Sequence, residues 1–497
     1  MKKTTARLIP VAFLLAVAVC VAAGVIQGCS SSQQAATNSA EQPKAQASSS
    51  PVTCAQSEAS TATFPPVPTV IDASCANIPL DFNGTPSQSG ADLYSWLTFV
   101  AINWPVDATT CSANTSATIL SGTPNPTWLT FLSNDEVFVP APQKPLNWCY
   151  GSSAPKAGAP QARFASADAA VAARHNLEMA HLPPKVKALA QKHPEVQLFL
   201  HHNAKGQDLF ANIAHMKALK IAKLEITPEM QTILDATDEP VTDQNGRFVR
   251  FTINIGEDEY NYIMAQNLWK VSGQKTAQAL TFPASKQSSA TELGAMEFKA
   301  AWKVLGANDN PAHFFTLTAI VYNDEDGTPS PGPNPVTVGL VGLHIIHKTQ
   351  KQPKWLWATF EQVENDTKSF FNPNCSATDC PPNIETATKP YYELNKDGSP
   401  HNKPVQIVAA SQTTAADLNT TFQALLPNTP WAYYKLISTQ WVGELGNAPK
   451  PPKLGNSVLE TFVSQTNPYS CMDCHNFAQD TAGFKSDFSF IISALQP

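Results

Sequence analysis

The sequence predicts an α+β fold, with mixed helices, an antiparallel sheet and a short helical segment at the C-terminus. Three observations predict it. Strand-like runs at Phe314 to Tyr322, Val336 to His347 and Trp355 to Glu361 follow one another with no helix between them, the order of a sheet built from neighbours. Val249, Phe251, Ile253 and Ile255 alternate with polar residues behind an Asn245-Gly246 turn signal, as in a half-buried hairpin strand. Helical periodicity lies elsewhere, in Leu93, Trp96, Leu97, Val100 and Trp104 before Pro105, and again over Ala415 to Leu426.

In chain order, residues 29–80 are rich in Ser, Ala, Gln, Thr and Pro, the composition of a flexible tether. The body is expected over 81–444. Ser89-Gly90-Ala91-Asp92 has capping-box spacing ahead of the first helix. Residues 106–160 read as loops and short strands, and 165–235 as helical pieces interrupted by Pro183-Pro184 and Pro194. A second helix is predicted over Glu292 to Leu305, where Phe298, Ala301, Trp302 and Leu305 share a helical face, and another around Trp431 to Trp441. Glu257-Asp258-Glu259 and Asp324-Glu325-Asp326 read as solvated turns. The last stretch, 445–497, opens on a Pro-rich bridge and a short helical face of Val458, Leu459, Phe462 and Val463.

The first 28 residues have the build of an export signal. Lys2, Lys3 and Arg7 precede an apolar run from Ile9 to Ile26, which by length alone also suits a membrane anchor. Ile26-Gln27-Gly28-Cys29 resembles the lipobox of bacterial lipoproteins, which implies cleavage before Cys29 and lipid on its thiol; the alternative is ordinary cleavage with Cys29 incidental. Ser30, not Asp, follows, and by the same resemblance favours the outer membrane. The expected location is therefore the cell envelope of a Gram-negative-type bacterium, as an outer-membrane lipoprotein facing the periplasm. The chain carries 33 basic and 40 acidic residues, so loss of those three leaves 30 against 40, or −10. That balance excludes nucleic acid as a partner, because counterion displacement needs a basic face.

Of ten cysteines, Cys20 lies in the signal and Cys29 at its end. Cys54, Cys75, Cys111, Cys149, Cys375 and Cys380 are an even set suited to disulfides in an oxidising compartment; sequential pairing closes the shortest loops, among fifteen connectivities. No two of the six have Cys-x-x-Cys spacing, which weakens a zinc reading.

Cys471-Met472-Asp473-Cys474-His475 carries the one specific chemistry. Two thiols three apart suit thioether bonds to the two vinyl groups of a haem, with the adjoining imidazole on one axial face of the iron. A thioredoxin-like pair needs a preceding strand in a βαβ context, and half of a zinc site needs ligands from afar. By these residues the segment from Asn456 onward resembles the c-type cytochromes, which implies one covalent haem c, Cys471 and Cys474 as anchors and His475 as proximal ligand. Together with Trp96 to Pro105 and Gly342 to Thr349, the chain resembles an uncharacterised family of exported bacterial mono-haem proteins. Only 22 residues follow His475 and none is methionine, so no ordinary cytochrome domain can be built downstream.

A distal ligand must then come from the body. His344 and His347, three apart in one strand, point to opposite faces, so only one can serve a given cavity. Met296 is the third candidate, and all three also read as plain core residues. Trp355 and Trp357 read as sheet core or as an aromatic wall against a porphyrin. His175, His181, His193, His201, His202 and His215 read as solvated. No phosphate-binding loop, dinucleotide fingerprint, Gly-x-Ser-x-Gly or His-Glu-x-x-His is present. The expected function is electron transfer to or from a redox partner protein, with the membrane reached through the lipid on Cys29. The alternatives are a haem enzyme or sensor with an open sixth position for peroxide or gas, and an envelope binding or structural protein stabilised by haem.

Overall fold

Long runs of β-branched and aromatic residues, apolar at nearly every position, form the middle of one large sheet. The computed structural model describes residues 50–62, 65–81, 87–107, 110–122, 125–139, 144–145, 148–150, 184–193, 198–202, 242–243, 247, 249–277, 279–323, 334–365, 370–371, 407–408, 414–442, 448–459, 470–476, 478–480 and 484–494. Among them the sheet contains β1 (Leu132–Ser133), β2 (Leu198–His202), β3 (Arg250–Ile255), β4 (Met296–Val304), β5 (Thr316–Asn323), β6 (Val336–His347), β7 (Leu356–Gln362), β8 (Tyr434–Val442) and β9 (Pro449–Lys450). The spatial order is β9-β8-β7-β6-β4-β3-β1. The N-terminal part of β6 also pairs with β5, which carries β2 in the one parallel pairing described in this sheet. The fold is α+β, helices with an antiparallel sheet, as the order of strand runs predicts.

One face of the sheet is covered by helix α2 (Gln88–Ile102), which is buried from Gly90 to Ile102. A helix enclosed on all sides lies between two layers: the sheet on one side, helix α4 (Thr414–Leu425) on the other. Trp96 stacks on Phe422 of α4 with ring centroids 4.9 Å apart and meets Phe360 of β7 edge-on at 5.1 Å. Its indole N–H donates to Asn419 Oδ1 at 2.9 Å. The N-cap is Ser87, whose hydroxyl accepts from Gly90 N at 3.1 Å, two residues before the expected Ser89. Asp92 is therefore released from capping and accepts instead from Thr439 N of β8 at 2.9 Å, tying helix to sheet.

Several segments differ from the sequence expectation. Glu292 to Leu305 is not a helix: Met296–Val304 is β4, a central strand buried at all nine positions. Phe298 and Trp302 misled because residues four apart share a face in both a helix and a strand. Trp431 to Trp441 is a 3-10 turn, Pro430–Tyr433, followed by β8. Glu257-Asp258-Glu259 is no solvated turn but the first turn of α3 (Glu257–Ala265), where the helix dipole favours acids, and Glu259 is wholly buried. Residues 456–459 form a turn, not the start of a helix.

The body also starts before 81. Thr53 and Gln56 form a capping box at α1 (Cys54–Ala59), and the Cys54–Cys75 disulfide ties this helix to a 3-10 turn at Ala73–Ala76, so part of the expected tether is structured. A second disulfide joins Cys111 to Cys149. Both follow the sequential pairing. Cys375 and Cys380, the signal and Cys29, the Asn245-Gly246 turn, Asp324 to Asp326, and His175, His181 and His215 lie outside the described residues. From Pro51 to Pro497 the chain clusters as one unit. No helix among the described residues is long and apolar enough to cross a membrane.

Candidate haem site

The register of β4, β6, β7 and β8 determines which side chains meet. Residues paired directly across antiparallel strands share a face. One row therefore holds Lys299, His344 and Thr359, and the next holds Glu297, Ile346, Trp357 and Gln440. Met296, His347 and Leu356 belong to the opposite face.

On the first of these faces lies the Cys-x-x-Cys-His turn. Ser470 N and its hydroxyl both donate to Asp473 Oδ2, at 2.8 and 2.9 Å, and this box starts the short helix α5 (Cys471–His475). One helical turn brings Cys471 and Cys474 to the same side with His475 beside them. Met472 turns inward, its N–H donating to Gln440 Oε1 of β8 at 3.0 Å, and anchors the helix to the sheet. Neither motif cysteine is in the two disulfides, and both are half-buried.

His475 lies against the Trp357 ring at 4.4 Å between centroids, with Phe490 edge-on at 5.0 Å. Its Nδ1 is 2.7 Å from the Phe488 carbonyl oxygen, which can only accept, so Nδ1 carries the hydrogen and Nε2 keeps its lone pair. Burial above all holds the imidazole pKa down at about 3; the Phe488 carbonyl pulls upward, and the His344 and Lys299 charges add to the fall. The ring is neutral at neutral pH, the state that binds iron.

Behind the motif, the described residues 476, 478–480 and 484–494 form a strap. Asp487 and Phe488 both have positive φ, 55° and 70°, a conformation costing non-glycine residues of order 1 kcal/mol each. Tertiary bonds hold them there. Asp487 Oδ2 accepts from Phe282 N at 2.7 Å and pairs with Lys348, while the Asp487 carbonyl accepts from Trp355 Nε1 at 2.9 Å. Further on, Gln274 Nε2 donates to the Ile492 carbonyl at 2.9 Å. The strap carries the Phe488 carbonyl to His475.

His344 faces the motif side. From Val338 to His347 it is the single residue of β6 that is not buried, and its charge acts on His475. His347 is committed on the opposite face: Nε2–H donates to the Leu293 carbonyl at 2.5 Å, so Nδ1 accepts from Tyr94 OH of α2. Both ring nitrogens are used and the pKa is lowered to about 4 by burial. Met296 sits in the same row as His347, on the wall of an open cavity of about 900 Å³ that also reaches Glu58, Asp81 and Asp258. Neither His347 nor Met296 is placed to meet a group held by His475. Trp355 serves the strap and Trp357 the His475 ring.

The approach to the motif is seated on Gly342 of β6. A Cβ there would lie 2.6 Å from Val458 Cγ1 and 3.1 Å from Leu459 Cδ1. Asn456 Nδ2 donates to Thr359 Oγ1 at 2.7 Å and Ser457 N to Glu361 Oε1 at 2.6 Å, so 456–459 is stitched to the sheet beside His344. Gly342→Ala is expected to destabilise by about 1–3 kcal/mol through overpacking, read by urea denaturation; an unchanged midpoint would show that 456–459 does not rest on this glycine.

These residues fit a covalent haem: two half-buried thiols, a neutral imidazole with one nitrogen available, a Trp357 and Ile346 wall, and His344 on the same face. Sequence reasoning missed Phe488, Asp487, Gln440 and Lys299, which no local motif marks. Searches against protein-family models, curated proteins and solved structures find no match to this chain.

Proposed function

We propose that the chain is an exported mono-haem c-type cytochrome acting in electron transfer, with Cys471 and Cys474 as thioether anchors, His475 as proximal ligand and His344 as distal ligand. The observation that carries this reading is the His475 ring, oriented by the Phe488 carbonyl so that Nε2 is available on the face that also presents His344. When bound, haem supplies a one-electron ferric/ferrous couple. The cysteines hold it by covalent bonds, and α5 holds the cysteines through Met472 and Gln440. The Phe488 carbonyl fixes the tautomer of His475 and strengthens its lone pair. Trp357 and Ile346 exclude water, and the Lys299 ammonium in the His344 row favours the less positive, reduced state. Lipid on Cys29 would hold the protein at the outer membrane, facing the periplasm and its redox partner protein.

The test is the visible spectrum of the full-length holoprotein. Six-coordinate, low-spin iron in both oxidation states, unresponsive to carbon monoxide and peroxide, is expected. A ferrous form that binds carbon monoxide at once would transfer the reading to an enzyme or gas sensor.

A further inference from the structure

Beside the strap lies a pair of acids that electron transfer by itself leaves unexplained. Glu259 of α3 is wholly buried, and among the described residues neither of its oxygens has a hydrogen-bond donor. Its carboxyl lies against that of Glu297 of β4, itself 7% exposed. Two carboxylates in contact away from water repel, and a proton between them removes the repulsion. Burial first, then the neighbouring charge of Glu297, push Glu259 well above the usual carboxylate range. Burial pushes Glu297 up to about 7, with the Ser489 hydroxyl and Glu259 drawing it down and Asp487 adding to the rise. Around the pair, Asp487 of the strap is the facing charge, with Lys348 bound to it; Asp258 of α3 turns to Gly294 N instead.

The pair also reaches the candidate haem site by two routes. Glu297 stands in the row of Ile346 and Trp357, two strand spacings from the ring that packs on His475, about 10 Å. Ser489, its hydrogen-bond partner, is the residue after Phe488, whose carbonyl holds His475. A charge on the pair is therefore felt at the iron through protein with little intervening water.

We infer that the Glu259–Glu297 pair is a proton-binding site linked to the oxidation state of the haem, a reading that rests on the haem assignment above. With haem bound and reduced by one electron from the redox partner, one carboxylate of the pair would take one proton from solvent, forming an O–H bond, and oxidation would return both. The sign follows from electrostatics. A deprotonated pair stabilises the more positive ferric state and lowers the potential, and by reciprocity ferrous iron raises the proton affinity of the pair.

The experiment is a spectroelectrochemical titration of the holoprotein across pH, for wild type and Glu259→Gln/Glu297→Gln. The wild-type midpoint potential is expected to fall as pH rises through the region of 7, while the double variant stays level near the wild-type acid value. A wild-type profile with no slope there, or an equal slope in the variant, overturns the inference. Infrared difference spectra of the wild type do not depend on variant folding: a carboxylic C=O band that appears on reduction and shifts in D₂O supports the link, and its absence overturns it. Protein purified without covalent haem would remove both this inference and the function it rests on. A level profile in protein with haem attached would remove the proton link alone.

Discussion

The Cys471→Ala/Cys474→Ala variant is expected to emerge from expression with no covalently attached haem, while wild type keeps its pigment through a denaturing gel. Thioether bonds need the two sulfurs, and nothing else in this turn can replace them. The variant should still fold as far as the sheet is concerned. The Ser470–Asp473 box and the Met472–Gln440 bond involve no sulfur, so α5 keeps its seat. Far-ultraviolet dichroism matching wild type, together with loss of the haem stain, is the predicted pair of results. Covalent haem remaining in the double variant would end the cytochrome reading at its base.

The second large effect separates two histidines three residues apart. His344→Ala should convert a low-spin ferrous spectrum into one that binds carbon monoxide, with little change in stability, since His344 is the partly open position of its strand. His347→Ala should do the reverse. It leaves the Leu293 carbonyl without its partner inside the core and the Tyr94 hydroxyl with the Pro79 carbonyl in place of the imidazole, at a cost of about 1–3 kcal/mol, and leaves the low-spin spectrum intact. Denaturant melts and carbon monoxide titrations of both variants check this. A low-spin spectrum unchanged in His344→Ala would remove it as the distal ligand.

His347 also carries a pH signature. Its folded pKa, about 4, lies below the ordinary 6.5. The unfolded chain thus binds a proton in this window that the folded chain does not, and the contribution of neutral His347 is lost as pH falls from 6.5 towards 4.

The fold was legible where pattern and environment agree. Strands 316–323, 336–347 and 356–362 read correctly because their apolar runs match a sheet buried on both faces, and α2 and α4 read correctly because their periodicity has no strand equivalent. Met296–Val304 did not, because Phe298 and Trp302 satisfy both periods and only the pairing with β3 and β6 decides between them. Glu259 misread for a related reason: an acid is called solvated by composition, and only the packing of α3 against β4 takes it out of water.

For the site, five consecutive residues carry the whole of the haem assignment, because thioether chemistry and axial ligation are written in local spacing. Sequence alone therefore determined the cofactor reading, and limited the histidines to one per face, since alternation along a strand is a local property. Which face receives the motif was a tertiary matter. It depended on the register that puts Trp357 and His344 on one side and His347 against Tyr94 on the other, and on a strap whose Phe488 carbonyl lies 13 residues beyond the histidine it orients. Contacts across that separation and between distant strands are set by packing of the whole sheet, and no window of the chain contains them.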